Sequence, residues 1–150
     1  MPSTAYRPRR TLYLIKQTES IVRARMDAAL RAKKITVVQF SVLSLLDRPD
    51  PLSSAQVARH SFVTPQAANE MIASLEKKGL IARTEDSETR RILRLTLTPA
   101  GSRILARSAK LVDRVEKEIL RNLTPRKTKD LRQALLAIIE TAREDAARGI

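Results

Sequence analysis

The sequence predicts a mainly α protein that carries one small β-hairpin. Apolar residues recur at spacings of three, four and seven along most of the chain, as they do in helices that pack on other helices. Only residues 93–97 alternate apolar and polar side chains, which is the period of a strand with one wet face. Three threonine–proline pairs mark helix starts, because threonine caps a first turn and proline fits the position after it. The pairs are Thr64-Pro65, Thr98-Pro99 and Thr124-Pro125.

Further local signals place the remaining elements. Thr36 with Gln39 and Ser53 with Gln56 have the spacing of capping boxes, so each predicts a helix start. Gly79 follows a helical pattern and predicts its end. In chain order we expect helices over about 10–32, 36–47, 54–60 and 64–78, a hairpin over about 81–97, and long helices over 99–122 and 125–147.

The charge of the chain indicates which class of partner it binds. Lys and Arg number 29 against 16 Asp and Glu, which gives a net charge of +13. A domain this basic usually meets a polyanion, and nucleic acid is the commonest one. An anionic membrane is the alternative, but an interfacial helix normally presents Trp or Phe to the lipid. The chain has no Trp and two Phe, so we expect nucleic acid and no membrane.

Several classes of protein fit the composition poorly. Without cysteine there can be no disulfide and no thiolate metal site, and His60 is the single histidine. Carboxylates are spread along helices beside Lys or Arg, so no catalytic pair or metal cluster stands out. We expect neither an enzyme nor a bound metal or cofactor. The N-terminal residues lack the apolar core of a signal peptide and no apolar run is long enough for a bilayer, so the cytoplasm is the expected location.

The terminal helices predict a dimer. Residues 10–33 and 99–147 carry apolar positions that a compact 36–97 core cannot cover by itself. The economical arrangement intertwines these helices from two chains, and an intrachain bundle is the alternative. We therefore expect a single domain in which residues 34–98 form a central lobe and residues 10–33 and 99–147 are dimerisation helices.

Residues 53–78 have the pattern of a helix-turn-helix, whose second helix can enter the major groove of DNA. On the second helix one face is apolar and predicted to pack inward: Ala68, Met71, Ile72 and Leu75. The other face is polar and small near its start, as contact with base edges requires: Gln66, Asn69, Glu70, Ala73 and Lys77. An ordinary amphipathic helix with a solvated face is the alternative.

The hairpin that follows favours the DNA-binding interpretation. Leu93, Leu95 and Leu97 are predicted to face the core, with residues 81–84 as the partner strand. A helix-turn-helix followed at once by a hairpin is a winged helix, so residues 34–98 are the predicted DNA-binding lobe. Its tip carries Arg90 and Arg91, and arginine suits the negative potential of a narrow minor groove. The alternative is a pair of solvated loop charges.

This order of elements resembles the MarR family of transcriptional regulators over about residues 10–145. The closest motifs are "LEKKGLI" (75–81) and "LRLTLTPAG" (93–101). The resemblance implies an obligate homodimer of winged helix-turn-helix lobes that binds a pseudo-palindromic operator, usually to repress. It also implies release by a small, often aromatic, ligand.

Transferred position by position, the resemblance makes Arg91 the minor-groove arginine of the wing. The family commonly has an Asp that braces this arginine where Thr89 stands here, so the brace either comes from Glu88, Asp86 or Glu85 or is missing. Glu70 stands where a basic residue is frequent. The candidate DNA contacts are Ser53, Thr64, Gln66, Ala67, Asn69, Glu70, Lys77, Arg90 and Arg91.

A ligand pocket is expected where the dimerisation helices meet the DNA-binding lobe. Tyr13 and Phe40 are its aromatic candidates, with Arg10 and His60 as anion partners. The alternative for the two aromatic residues is plain core packing. An anionic phenolic compound or its coenzyme A thioester is the ligand class that resemblance and charge suggest.

Two other functions compete with an operator-specific regulator. One is a nonspecific architectural DNA-binding or RNA-binding winged helix. The other is a basic helical interaction module whose charge meets a protein or membrane partner.

Overall fold

The computed structural model describes residues 10–86, 88 and 92–149. It confirms a mainly α fold with one two-stranded antiparallel hairpin. The chain divides into two compact units, Met1–Val115 and Glu116–Ile150. The elements are α1 (Thr11–Leu30), a 3-10 turn (Arg31–Lys33), α2 (Val37–Leu46), α3 (Ser54–Ser61), α4 (Pro65–Lys77), β1 (Ile81–Glu85), β2 (Leu93–Leu97), α5 (Pro99–Leu120) and α6 (Pro125–Arg148).

The predicted helix starts are confirmed by their capping bonds. Thr36 and Ser53 each form a complete capping box with the glutamine three residues later. Thr64 and Thr124 accept hydrogen bonds from the backbone N–H groups three residues on. The first predicted helix needs one correction, because its α-helical part ends at Leu30 and a 3-10 turn follows it.

The core of the first unit lies between the middle helices and the hairpin. Its fully buried apolar side chains come from the end of α1, α2, α3, α4 and β2. They include Leu30, Leu43, Val57, Ile72 and Leu95. Burying side chains of this size stabilises each site by about 1.5–3 kcal/mol relative to exposure. The helix-turn-helix and the hairpin thus share one core.

The hairpin has a fixed register. Ile81 pairs with Leu97 and Glu85 pairs with Leu93. An additional bridge joins β2 to the segment before α3, where the Leu95 N–H donates to the Leu52 carbonyl at 2.8 Å. Leu95 is 1% exposed, but Leu93 is 41% exposed, so its predicted inward packing is wrong. Leu93 belongs to the far end of the hairpin, beyond the reach of the lobe core.

Gly101 lets α5 begin against the end of α4. A Cβ atom on this glycine would overlap the backbone carbonyl of Leu80. The Thr98 hydroxyl reinforces the junction, since it donates to the Gly79 carbonyl at 2.6 Å and accepts from the Gly101 N–H at 3.0 Å. The hairpin and the first turn of α5 are therefore tied directly to the end of α4.

The second unit contains the last residues of α5 and all of α6. Arg132 donates to Glu116 at 3.1 Å across the pair. Several large apolar side chains of α6 remain 38–57% exposed: Leu131, Leu135, Leu136, Ile138 and Ile139. No helix among the described residues is long and apolar enough to cross a bilayer.

Candidate nucleic-acid interface

The helix-turn-helix turns sharply at Phe62. This residue adopts a left-handed conformation with φ of 52°, and the Val63 N–H donates to the Ala58 carbonyl at 3.1 Å. A left-handed residue after the last turn is a common way to end a helix. The sharp turn lets α4 start at Pro65 immediately after α3 has ended at Ser61.

The start of α4 is built to face an anion. The Thr64 hydroxyl oxygen accepts from the Ala67 N–H at 3.2 Å, which leaves the hydroxyl hydrogen available to a phosphate oxygen. Thr64 and Gln66 are exposed, whereas Ala67 is half-buried. The free N–H groups and the helix dipole give this end a partial positive charge.

The two faces of α4 are divided as predicted. Ala68, Ile72 and Leu75 are buried and Met71 is half-buried. The outward face is exposed at all five predicted positions: Gln66, Asn69, Glu70, Ala73 and Lys77. The helix therefore presents amide side chains near its N-terminal end and a lysine near its C-terminal end.

Glu70 has a partner on the same face. The Gln66 side-chain amide donates to the Glu70 carboxylate at 3.3 Å, one helical turn apart. This bond holds the carboxylate beside Gln66. It also leaves Gln66 with a second N–H and its carbonyl oxygen for a base edge.

Ser53 lies at the start of α3. Its hydroxyl accepts from the Gln56 N–H at 3.2 Å, and its own N–H donates to the Gln56 side-chain oxygen at 2.9 Å. The residue is half-buried. Its hydroxyl hydrogen remains the group that could meet a phosphate.

The wing contains an ion pair that the sequence reasoning missed. The Arg94 Nε donates to the Asp86 carboxylate at 2.7 Å, and its guanidinium also donates to the Gln56 side-chain oxygen at 3.1 Å. The alternation of β2 indicated only that Arg94 lies on the polar face. The contact depends on the pairing of Arg94 with Thr84, which the sequence does not specify.

The predicted wing-tip contacts Arg90 and Arg91 lie outside the described residues, as does Thr89. Of the three candidate braces, Glu85 and Glu88 are exposed, while Asp86 is half-buried and bonded to Arg94. The assignment of a brace for Arg91 stays a prediction.

The four candidate ligand residues come from three parts of the first unit, which are the start of α1, α2 and α3. Arg10 directly precedes α1 and Tyr13 is in its first turn, with both side chains exposed. Phe40 in α2 is half-buried and packs against the core. His60 is exposed near the end of α3. Their role in ligand binding stays a prediction.

One groove of about 400 Å³ lies elsewhere in the first unit. The turn after α2 lines one side, with Arg48 and Pro49, and β2 lines the other with Leu95 and Leu97. None of the four candidate ligand residues lines it. Across the described residues, no group of three or more His, Cys, Asp or Glu side chains is placed to hold a metal ion.

A capped, outward-facing second helix and an antiparallel hairpin on the same core define a winged helix-turn-helix protein. Comparisons with known proteins narrow this class. A profile of the MarR family matches residues 33–92. The HTH-type transcriptional repressor Rv2887 of Mycobacterium tuberculosis is 32% identical over 123 residues, which cover 82% of this chain and 88% of that protein. The chain belongs to the MarR family and is a DNA-binding transcriptional regulator.

Solved structures agree with this assignment. The M. tuberculosis MarR family protein Rv2887 in complex with DNA matches with a TM-score of 0.73 and 30% identity, covering 87% of this chain and 98% of that one. The same protein in complex with p-aminosalicylic acid matches with a TM-score of 0.71 and 30% identity, with the same coverage. A transcriptional regulator named SlyA matches with a TM-score of 0.80 over 89% of this chain and 94% of that one, and at 19% identity this shows the fold alone.

Proposed function

We propose that the protein represses transcription by binding a pseudo-palindromic operator as a homodimer and leaves it when a small ligand binds. The outward face of α4 carries the proposal. Its exposed amide side chains follow a capped N-terminus, while the opposite face is buried in the core. Such a helix can enter a major groove without disturbing the fold of the lobe.

In this mechanism Gln66 and Asn69 contact base edges. Their amides can bond to both acceptor and donor groups of adenine in the major groove. Thr64 and Ser53 donate their hydroxyl hydrogens to phosphates, and Ala67 offers a small surface beside the backbone. The Lys77 ammonium group interacts with the phosphate backbone through its charge. Glu70 positions Gln66 through the 3.3 Å hydrogen bond and can accept from a cytosine amine.

Arg90 and Arg91 complete the proposed interface. Their assignment rests on the sequence resemblance, which makes Arg91 the minor-groove contact and Arg90 its neighbour on the backbone. Two lobes of one dimer would then place α4 in successive major grooves. Half-site centres are expected about one helical turn, or ~10 bp, apart.

Exposed apolar side chains support the dimer. Leu12, Tyr13 and Ile21 of α1 are exposed in the single chain. So is the apolar stripe of α6, formed by Leu131, Leu135, Leu136, Ile138 and Ile139. Clusters of exposed large apolar side chains, such as those on α6, mark protein–protein interfaces. We propose that both helices are covered by a second copy of the chain.

The ligand is proposed to be a small anionic aromatic compound. The relative Rv2887 has been solved with p-aminosalicylic acid and with salicylic acid. The net charge of +13 suits an anion. Arg10, Tyr13, Phe40 and His60 are the proposed contacts. A ligand that prefers another spacing of the two lobes would shift the dimer away from the DNA-binding geometry.

The proposal includes no catalytic activity, because the relatives are transcriptional regulators. It places the protein in the cytoplasm, where an operator would be available to it.

Selection of bound sequences from random duplex DNA tests the main proposal. We expect an enriched palindrome with half-sites about one turn apart, and retention that falls steeply as salt rises. Binding without an enriched sequence would favour an architectural role instead. Absence of duplex binding at low salt would exclude both. A subsequent screen of anionic aromatic compounds on the selected operator would identify ligands that release it.

A further inference from the structure

We infer that Arg94 is a positioning residue of the DNA-binding surface, which fixes the wing against the helix-turn-helix without contacting DNA itself. This inference rests on the proposed function. It concerns a wing-base cluster formed by Gln56, Asp86 and Arg94. Each of the three belongs to a different part of the lobe: α3, the wing loop and β2.

Arg94 is bound on two sides. Its Nε donates to Asp86 at 2.7 Å, and its guanidinium donates to Gln56 at 3.1 Å. Its side chain is 30% exposed and that of Asp86 is 13% exposed, so the pair is partly shielded from water. A short, partly shielded arginine–carboxylate bond is stronger than a typical surface pair.

Asp86 connects the cluster to the wing. Its second carboxylate oxygen accepts from the Glu88 N–H at 2.9 Å. Its own N–H donates to the Ile92 carbonyl at 3.0 Å, which extends the hairpin ladder beyond the Glu85–Leu93 pair. One carboxylate thus fixes the backbone at the point where the wing leaves the strands.

Gln56 connects the cluster to the helix-turn-helix. The oxygen that accepts from Arg94 also accepts from the Ser53 N–H at 2.9 Å. The same glutamine closes the capping box that starts α3. Arg94 therefore links the wing to the N-terminus of α3, the helix that Ser53 caps. A rotation of the wing relative to α3 would break at least one of these bonds.

The position of the wing decides whether its tip and α4 can engage adjacent grooves together. Contacts held in one geometry before binding cost less to order on binding. Loss of the cluster should consequently weaken DNA binding even though Arg94 is engaged within the protein. If Arg94 contacted a phosphate directly, its replacement would weaken DNA binding too, but it would also reduce the dependence of affinity on salt.

The test compares Arg94→Met, Asp86→Ala and the double variant on the selected operator. We expect each single variant to lower affinity about tenfold, and the double variant to lose clearly less than the sum of the two single losses, because both changes remove the shared Asp86–Arg94 bond. Arg94→Lys keeps the charge but cannot span both acceptors, so its DNA affinity should lie between those of the unaltered protein and Arg94→Met. The slope of log affinity against log salt should equal that of the unaltered protein.

Three results would overturn the inference. They are unchanged affinity in Arg94→Met, additive losses in the double variant, or a salt slope reduced by about one phosphate contact. Arg94→Lys and Asp86→Ala preserve the test if Arg94→Met fails to fold.

Hydrogen exchange of the free protein gives a readout independent of DNA. The Glu88 N–H should exchange faster in Arg94→Met, because Asp86 loses its anchor. Arg83→Met is the matched control, since Arg83 lies in the same hairpin but pairs with Glu76 of α4 at 2.8 Å. It should leave exchange at Glu88 unchanged. Equal protection of the Glu88 N–H in the Arg94→Met variant and the unaltered protein would show that the cluster does not hold the wing. If the unaltered protein bound no duplex DNA, the proposed function would be wrong. Hydrogen exchange at Glu88 would still test whether Arg94 holds the wing.

Discussion

The side-chain amide of Gln39 donates to the Ser74 hydroxyl at 2.9 Å and thereby joins α2 to α4. Gln39 is 8% exposed, and its carbonyl oxygen accepts both from the Thr36 N–H at 3.1 Å and from the Lys78 ammonium at 3.0 Å. Lys78 also donates to the Lys34 carbonyl at 2.7 Å. One buried amide therefore holds the end of α4 against the start of α2.

Replacing Gln39 by leucine should destabilise the lobe. The change removes the partner of Ser74, deprives the Thr36 N–H of its side-chain acceptor in the capping box and leaves Lys78 with one fewer acceptor. Leaving buried polar groups without partners costs about 1–3 kcal/mol. Urea unfolding would measure the loss. Ser41→Ala on the exposed side of α2 is the control and should change stability by less than about 0.5 kcal/mol. Equal stability of the two variants would contradict the role assigned to Gln39.

Gly101 and Gly79 should respond differently to substitution. Gly101→Ala places a Cβ against the Leu80 carbonyl, so backbone must shift, and we expect a loss of about 2–3 kcal/mol. Gly79 has φ of +69° and open space around its Cα. Asparagine tolerates that conformation, so Gly79→Asn should cost about 1 kcal/mol or less. Thermal unfolding of the two variants would measure the difference, and a larger loss at Gly79 would contradict it.

What the sequence could predict depends on how local each interaction is. The capping boxes at Thr36 and Ser53 were predictable, because donor and acceptor are three residues apart. The outward face of α4 was predictable too, since helical periodicity sorts Asn69 from Ile72. The Gln39–Ser74 and Asp86–Arg94 bonds were not. The first joins residues 35 positions apart, and the second requires the hairpin register. The exposure of Leu93 followed from where the core ends, which alternation alone does not indicate.

Asn69→Ala should weaken specific DNA binding without affecting the fold. Asn69 is exposed on the outward face of α4, so its loss leaves the core intact. Loss of a bidentate contact to a base is expected to cost about 1–3 kcal/mol and to relax preference at one position of each half-site. Fluorescence anisotropy with the selected operator and its single-base variants would measure both effects. Asn122→Ala, an exposed asparagine after α5, should change neither. Unaltered affinity and preference would remove Asn69 from the interface.

Arg91→Ala should reduce specific affinity by about 1–3 kcal/mol and lower the salt slope, because the predicted minor-groove contact also neutralises phosphate charge. Comparison of operators with A·T-rich and G·C-rich flanks would localise the effect, since a narrow minor groove strengthens such a contact.

Glu88→Gln tests whether Glu88 braces Arg91. If Glu88 braces Arg91, loss of its charge should weaken binding, and an unchanged affinity would argue against Glu88 as the brace.

Leu135→Glu should separate the dimer. Leu135 is 41% exposed in the single chain and lies one turn from Leu131 and from Ile139 on the apolar stripe of α6. A carboxylate buried without a partner costs several kcal/mol, and a two-fold symmetric contact would contain two of them. The dimer dissociation constant should rise at least ~100-fold, measured by sedimentation over a range of concentrations.

The control is Gln133→Glu. It adds the same charge to the same helix, but about 160° away around the helix axis from Leu135, so it should leave the dimer intact. If both variants stayed dimeric, the stripe on α6 would not be the interface. If Leu135→Glu became monomeric and also lost operator binding, both lobes would be needed for DNA recognition.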